Sequence, residues 1–134
     1  DDHIRALIAD LPAEQAWEAL MPLTKLGRSL GELQTEIEVT DDVDVLGIPA
    51  GTYDIQRLFY WFFFKAYYRP EFTLDEMNHI NFDWYTPKNC HRHEPDEVRS
   101  WADGTDFEIT WFKVEEAGIT VVADRAAVQF EYID

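Results

Sequence analysis

Glu94-Pro95-Asp96-Glu97-Val98-Arg99-Ser100-Trp101, followed by Phe107-Glu108-Ile109-Thr110-Trp111-Phe112-Lys113 and then Ile119-Thr120-Val121-Val122-Ala123, decides the fold of this chain. Pro95 suits the first turn of a helix, and the carboxylates at 94, 96 and 97 complement the positive end of the helix dipole. Val98 and Trp101 are expected to pack inward, and Asp103-Gly104 ends the helix. Phe107, Ile109, Trp111 and Lys113 alternate with Glu108, Thr110 and Phe112 as a strand does. A short Gly-containing link, Glu115-Glu116-Ala117-Gly118, leads to a second strand over Ile119 to Ala123, so the pair reads as an antiparallel hairpin. The tail from Ala126 to Asp134 has a strand-like composition.

The preceding residues read as helical. Ile4, Leu7 and Ile8 share a face, Pro12 fits the first turn of a new helix, and Trp17, Leu20 and Met21 continue the pattern as far as Pro22. Leu23, Leu26, Leu30 and Leu33 recur at spacings of three and four, and mark another amphipathic helix. Within it, Gly27 and Gly31 permit close packing against a neighbour. Glu36 to Val45 alternates acidic and apolar residues and reads as an extended, half-exposed segment, with a loop over Leu46 to Gly51. Thr52 or Asp54 caps a helix reaching about Tyr68, in which Leu58 to Phe64 is unbroken apolar sequence. A helix apolar on all sides is buried or lies at an interface. Its plain role is core; Tyr60, Tyr67 and Tyr68 are the residues that can turn a hydroxyl into a pocket, and the helix over 53–68 is the surface through which a homodimer would form. Thr73 with Glu76 three residues later is a capping box that opens a helix over Leu74 to about Trp84. The expected fold class is α+β: a mostly helical region over 1–92, a closing helix and hairpin over 93–125, and the tail 126–134, all within one domain.

The chain has 134 residues, enough for a core burying roughly 68% of the unfolded surface. Its net charge of -16, from 27 acidic and 11 basic residues, repels phosphate backbones and anionic lipid. Nucleic acid and membrane surfaces are therefore poor partners. The longest apolar run falls far short of the ~18 to 20 residues that cross a bilayer. A single cysteine, Cys90, cannot form an internal disulfide, and with no signal peptide in view the expected compartment is a reducing cytoplasm. The chain begins Asp-Asp in what reads as mid-helix, so it is expected to be a piece of something longer.

Chemistry-bearing side chains concentrate between Asn81 and His93. Pro87 ends the preceding helix and leaves the polar groups after it on a loop, where binding and catalytic residues are over-represented. Cys90, His91 and His93 have donor atoms that suit zinc, with His79 and Asp83 as further candidates, though the spacing matches no known structural zinc site. A Cys–His nucleophile pair is weaker, because adjacent residues rarely face each other. His91 or His93 is apt as a general base near neutral pH, and Asp83 is placed to orient one of them. Trp84 and Tyr85 either line an aromatic wall or anchor the loop to the core. Asn81 and Asn89 are natural turn residues with paired donors and acceptors. The acidic runs Asp41-Asp42-Val43-Asp44 and Glu115-Glu116 read as solvated faces. No dinucleotide, Walker, nucleophile-elbow, HExxH or CxxC motif occurs.

The order of elements resembles the end of a class I S-adenosylmethionine-dependent methyltransferase of the type 11-like group, which closes its Rossmann-like sheet with a helix and an antiparallel pair. Pro95 to Trp101, Phe107 to Thr110, and Glu115 to Arg125 carry the resemblance to that ending. Phe82-Asp83-Trp84-Tyr85-Thr86-Pro87-Lys88 resembles the stretch that, in a bacterial subgroup, borders the acceptor pocket, and the helical first half is similar to an inserted region of that subgroup. The resemblance implies a part that caps the pocket for a small-molecule acceptor. Tyr60, Asp83, Trp84, Tyr85, Lys88 and Asn89 would hold the acceptor, and His91 or His93 would serve as base. The family's glycine-rich cofactor turn and ribose-binding acidic residue are not in this sequence, and its usual glycine after the last helix is represented only by Asp103-Gly104-Thr105. S-adenosylmethionine is thus expected as cofactor of a longer protein and not as a ligand of this chain alone. Two rival expectations are a non-catalytic α+β binding or dimerisation module, and a small metal-dependent enzyme centred on Cys90, His91 and His93.

Overall fold

The computed structural model of the chain describes residues 1–115 and 117–127. It divides into two compact units, Asp1–Cys90 and His91–Asp134, with the seam inside the polar loop. Among the described residues the architecture is α+β, with two separate antiparallel sheets of two strands each; the class and the C-terminal hairpin, which is the second sheet, are as the sequence leads one to expect, whereas the first sheet is not.

The first unit opens with helix α1 (Asp2–Ile8) and the long helix α2 (Ala13–Glu32). Pro22 does not divide α2. A proline inside a helix costs about 3 kcal/mol through its missing donor and its ring clash. Here Pro22 and Glu18, four residues back, are both exposed, so water can take the carbonyl that loses its partner. The buried stripe of α2 also departs from the leucine pattern: it is Ala16, Leu20, Thr24, Gly27 and Gly31, while Leu26 and Leu33 stay 47% and 57% exposed.

Small residues occupy that stripe because another piece of backbone lies against it. Strands β1 (Glu36–Val39) and β2 (Gly51–Asp54) pair with Ile37 opposite Tyr53, and β2 runs directly into helix α3 (Ile55–Phe62). Asp54 caps α3 by accepting from the Arg57 amide at 3.1 Å. The expected continuation to Tyr68 does not occur; residues 63–72 form a non-helical strap. A Cβ on Gly27 would stand 2.7 Å from the Ala66 Cβ, and one on Gly31 would overlap the Tyr68 ring. The glycines therefore do what the sequence reading assigned them, and the neighbour they admit is this strap.

Tertiary hydrogen bonds explain why the strap leaves the helix. The Lys65 carbonyl accepts from the Tyr85 hydroxyl at 2.7 Å, and the Ala66 carbonyl from Gln56 Nε2 at 2.9 Å. The Tyr67 amide donates to Asn81 Oδ1 at 2.8 Å. Backbone groups that would have closed another helical turn are bonded to buried side chains instead. Those side chains come mainly from helix α4 (Leu74–Tyr85), which starts at the full Thr73–Glu76 capping box. Its buried face, Met77, Asn78, Asn81 and Tyr85, lies on α2, where Thr24 donates to Asn78 Oδ1 at 2.6 Å and accepts from Asn81 Nδ2 at 2.9 Å. Ile8, Ala16, Leu20 and Tyr85 form the apolar core, with Ile4, Leu23 and Phe82 against it.

In the second unit, helix α5 (Pro95–Ser100) is short, with Pro95 in its first turn. Val98 is buried as expected, but Trp101 follows the helix, is 55% exposed and sets its edge on His93. Strands β3 (Phe107–Glu115) and β4 (Gly118–Arg125) pair from Phe107↔Arg125 to Glu115↔Gly118, with a bulge between Ile109 and Trp111. The Arg99 guanidinium lies 3.7 Å above the Phe112 ring. Trp111 and its partner Val122 are each nearly half exposed. Residues 128–134 of the strand-like tail, and Glu116 of the acidic run, lie outside the described residues.

Candidate functional site

The first unit holds a pocket of about 170 Å³ lined by Tyr60, Lys65, Tyr67, Ile80, Asn81, Asp83 and Trp84. Its construction follows from the elements just described. Ile80, Asp83 and Trp84 share one face of α4, opposite the face that meets α2. Tyr60 comes from α3, and the strap contributes Lys65 and Tyr67 because it has left the helix.

Lys65 is the organising charge. Its Nζ lies 4.6 Å from the Tyr60 ring centroid and 4.7 Å from those of Trp61 and Trp84. Ammonium over an aromatic face is attracted by the ring quadrupole, and three rings define its position more narrowly than one would. The Arg57 guanidinium lies 5.4 Å from the Tyr60 ring and that of Arg5 lies 4.9 Å from Trp84. Arg5 is fixed there by two bonds to the Trp84 carbonyl, at 3.0 and 3.2 Å. Burial pushes the Tyr60 hydroxyl above its ordinary pKa, with Arg57 pulling the other way and Tyr67 adding to the rise. Tyr60 is thus a neutral donor at any ordinary pH.

The residues singled out from the sequence separate into three sets. Tyr60, Tyr67, Asn81, Asp83 and Trp84 meet in this pocket, with Asp83 and Trp84 on the final turns of α4, inside the helix read from the sequence. Asp83 is 65% exposed, and the imidazole beside it is that of His79, at 3.4 Å. Tyr85 is fully buried; its hydroxyl bonds to the Lys65 carbonyl and lies 3.2 Å from Asp1 Oδ1, and burial holds its pKa up at about 12. It supports the pocket from the core and does not line it. Lys88 reaches toward Asp10 at 3.7 Å from an exposed position, and Asn89 and Cys90 are exposed.

His91 and His93 belong to the second unit, with ring centroids 6.3 Å apart. His93 Nδ1 is 3.0 Å from Glu97 Oε1, so the carboxylate beside it is Glu97 and not Asp83. Among the described residues no three or more His, Cys, Asp or Glu side chains come together as a metal site requires. Nor is any helix among them long and apolar enough to cross a membrane.

Sequence reasoning missed Lys65, Trp61, Arg5 and Arg57 as parts of this site. A signal existed for the first: Lys65 is the one cation inside the aromatic run from Leu58 to Tyr68. The others needed the tertiary structure, since Arg5 and Trp84 are 79 positions apart.

Fold and pocket together define an α+β protein whose helical unit carries an aromatic, lysine-bearing pocket. Comparison with models of protein families, with curated proteins and with solved structures finds no match in any of the three.

Proposed function

We propose that this chain is the acceptor-pocket-forming, C-terminal part of an S-adenosylmethionine-dependent methyltransferase, inactive by itself. The observation that carries the reading is the pocket at the end of α4: Asp83 and Trp84, from the stretch resembling the family's acceptor-bordering segment, line a ring-sized cavity together with Tyr60. The hairpin supports it from the other unit. An isolated two-stranded hairpin is marginally stable, and β3–β4 leaves Trp111, Val114 and Val122 about half exposed, as the edge of a larger sheet would.

The described residues do not fit the cofactor. Among them the one strand that leads directly into a helix is β2 into α3, and it does so without a glycine-rich turn and with the Asp54 carboxylate already capping the helix. In this reading the chain's own side chains bind and orient the acceptor: the Tyr60 and Trp84 rings offer flat apolar walls and Lys65 a fixed charge. In the second unit, Glu97 engages Nδ1 of His93, which leaves Nε2 to take a proton.

The test is the gene upstream of Asp1. A continuous reading frame encoding a glycine-rich βα unit is expected, and the longer product should transfer methyl groups from S-adenosylmethionine while this chain alone does not. A reading frame that opens immediately ahead of Asp1 overturns the proposal.

A second reading, a non-catalytic module that dimerises through the aromatic helix, rests on Trp61 and Phe63, 42% and 45% exposed at the end of α3. Sedimentation as a monomer at high protein concentration would remove it.

A further inference from the structure

We propose that the pocket binds its acceptor as an uncharged phenol, the ring against Tyr60 and Trp84 and the hydroxyl donating to the Asp83 carboxylate. This rests on the reading of the pocket as an acceptor site and names the class of acceptor.

Size and wall chemistry set the first limit. Pockets for drug-sized ligands run from roughly 300 to 1,000 Å³. A cavity of about 170 Å³ therefore takes a single substituted ring and not a nucleotide or an extended chain. Tyr60 and Trp84 present aromatic surface to it and Ile80 an aliphatic one, which suits a flat apolar body. The two rings keep their places through the Lys65 ammonium they share, 4.6 Å from one centroid and 4.7 Å from the other.

Charge sets the second limit, and it disfavours both signs. Arg5, Arg57 and Lys65 sit over the rings of Tyr60, Trp61 and Trp84, but carboxylates lie among them. Asp2 Oδ1 is 3.5 Å from the Arg5 guanidinium, Asp1 Oδ1 accepts from the Lys65 amide at 3.1 Å, and Asp83 is itself a wall. Two of the cations are already committed: Arg5 to the Trp84 carbonyl, and Lys65 to its three rings and to a further interaction beyond them. A ligand carboxylate would meet Asp83, and a ligand ammonium would meet Lys65. Either would lose water around its charge without gaining an uncommitted partner.

Hydrogen bonding selects the hydroxyl. The Asp83 carboxylate only accepts; one of its oxygens faces His79 at 3.4 Å, which leaves the other for a ligand. The Tyr60 hydroxyl, kept protonated by burial, is able to donate. A hydroxyl on the ligand ring answers both groups, giving its proton to one and its lone pair to the other. A phenol is uncharged near neutral pH, as the tyrosine side chain is.

Four probes built on one ring separate the possibilities: 4-methylphenol, its methyl ether 4-methylanisole, the anion 4-hydroxybenzoate and the cation tyramine. Each is titrated near neutral pH into this chain and into Asp83→Ala, followed by ligand-observed NMR, with circular dichroism and melting temperature as controls for folding. Salt at about 0.15 M screens charges farther away than about 8 Å, so the net charge of -16 on the whole chain does not set the ranking. 4-Methylphenol should bind tightest, about fivefold better than the ether, the worth of one hydrogen bond. Asp83→Ala should bring the phenol down to the level of the ether and leave the ether unchanged. The inference is overturned by no binding of 4-methylphenol, by a charged probe that binds as tightly, by equal binding of phenol and ether, or by a preference for the phenol that survives in Asp83→Ala. Asp83 is 65% exposed, so the variant should fold; if it does not, the ranking on the unaltered chain decides alone. The titration needs no cofactor. A flat result therefore removes the phenol acceptor and leaves methyl transfer by the longer product to its own assay; phenol binding without methyl transfer removes the enzyme reading and keeps the site.

Discussion

Helix α4 has two faces, and they are built on opposite principles. The face toward α2 and the strap is closed: Asn78, Asn81 and Tyr85 are almost completely buried, and each has hydrogen-bond partners inside the protein. The face toward the pocket is open: Asp83 and Trp84 are exposed, and what converges on Trp84 is cationic. The closed face fixes backbone and the open face offers chemistry. Substitutions on the first should cost stability, and those on the second should cost binding.

The largest stability effect is expected at Asn81. Replacing it with Ala removes the acceptor for the half-buried Tyr67 amide and the donor to the buried Thr24 hydroxyl, which keeps its bond to Asn78, and leaves a cavity between α4 and the strap. We expect a loss of about 3 kcal/mol in urea denaturation. A loss below about 1 kcal/mol would mean that the strap is not anchored there, and the contrast between the faces would fail. Gly31→Ala comes next. Its new Cβ overlaps the Tyr68 ring, and a loss of about 2 kcal/mol is expected, partly offset when Tyr68 is also shortened to Ala. Strict additivity of the two changes would show that the strap does not cross α2 at this point.

Tyr85→Phe tests the closed face through pH. The native pKa of about 12 lies above the ordinary tyrosine value of 10.0, so the folded protein holds its proton where the unfolded chain gives it up. The resulting stabilisation is fully present below pH 10 and is lost as pH rises through 12; it is on the order of 2 kcal/mol. Denaturation at pH 9 and at pH 11 should show this fall for the unaltered chain and a flatter profile for Tyr85→Phe. The variant should also be about 1 kcal/mol less stable at pH 7, from the lost bond to the Lys65 carbonyl. Equal slopes for the two proteins would argue that another group titrates.

What could be read from the sequence follows the same division. Local rules sufficed for the capping box at Thr73–Glu76, the proline opening α5 and the β3–β4 hairpin, because each depends on neighbours in sequence. They failed where the closed face overrides them. Nothing local marks Phe62 as the end of α3; the signal is that Gln56, Asn81 and Tyr85 claim the backbone of residues 65–67. Nothing local tells that Gly27 and Gly31, and not Leu26 and Leu33, are the inner stripe of α2, since that depends on a strap more than thirty residues away. For the open face, the sequence indicated Tyr60, Asp83 and Trp84 but not the lysine they surround. Reading the aromatic run as a continuous helix to Tyr68 placed Lys65 inside that helix, when it lies on the strap and lines the pocket.

The smallest effect on stability, and the sharpest test of the contrast, is a cycle between Lys65 and Trp84. Trp84 is more than a third exposed and Lys65 keeps its contacts with Tyr60 and Trp61, so Trp84→Leu should cost less than about 1 kcal/mol. Combined with Lys65→Met, the two changes should fall short of additivity by about 0.5–1 kcal/mol, the range of a partly exposed cation–π pair. Because that coupling is electrostatic, it should persist in Lys65→Arg, which keeps a cation for the indole face. Binding should respond far more than stability: loss of either partner removes a wall or a charge from a pocket that holds only one ring. If the double change is additive and Trp84→Leu leaves small-molecule binding untouched, the cation and the indole are neighbours without a shared role, and the open face of α4 is ordinary surface.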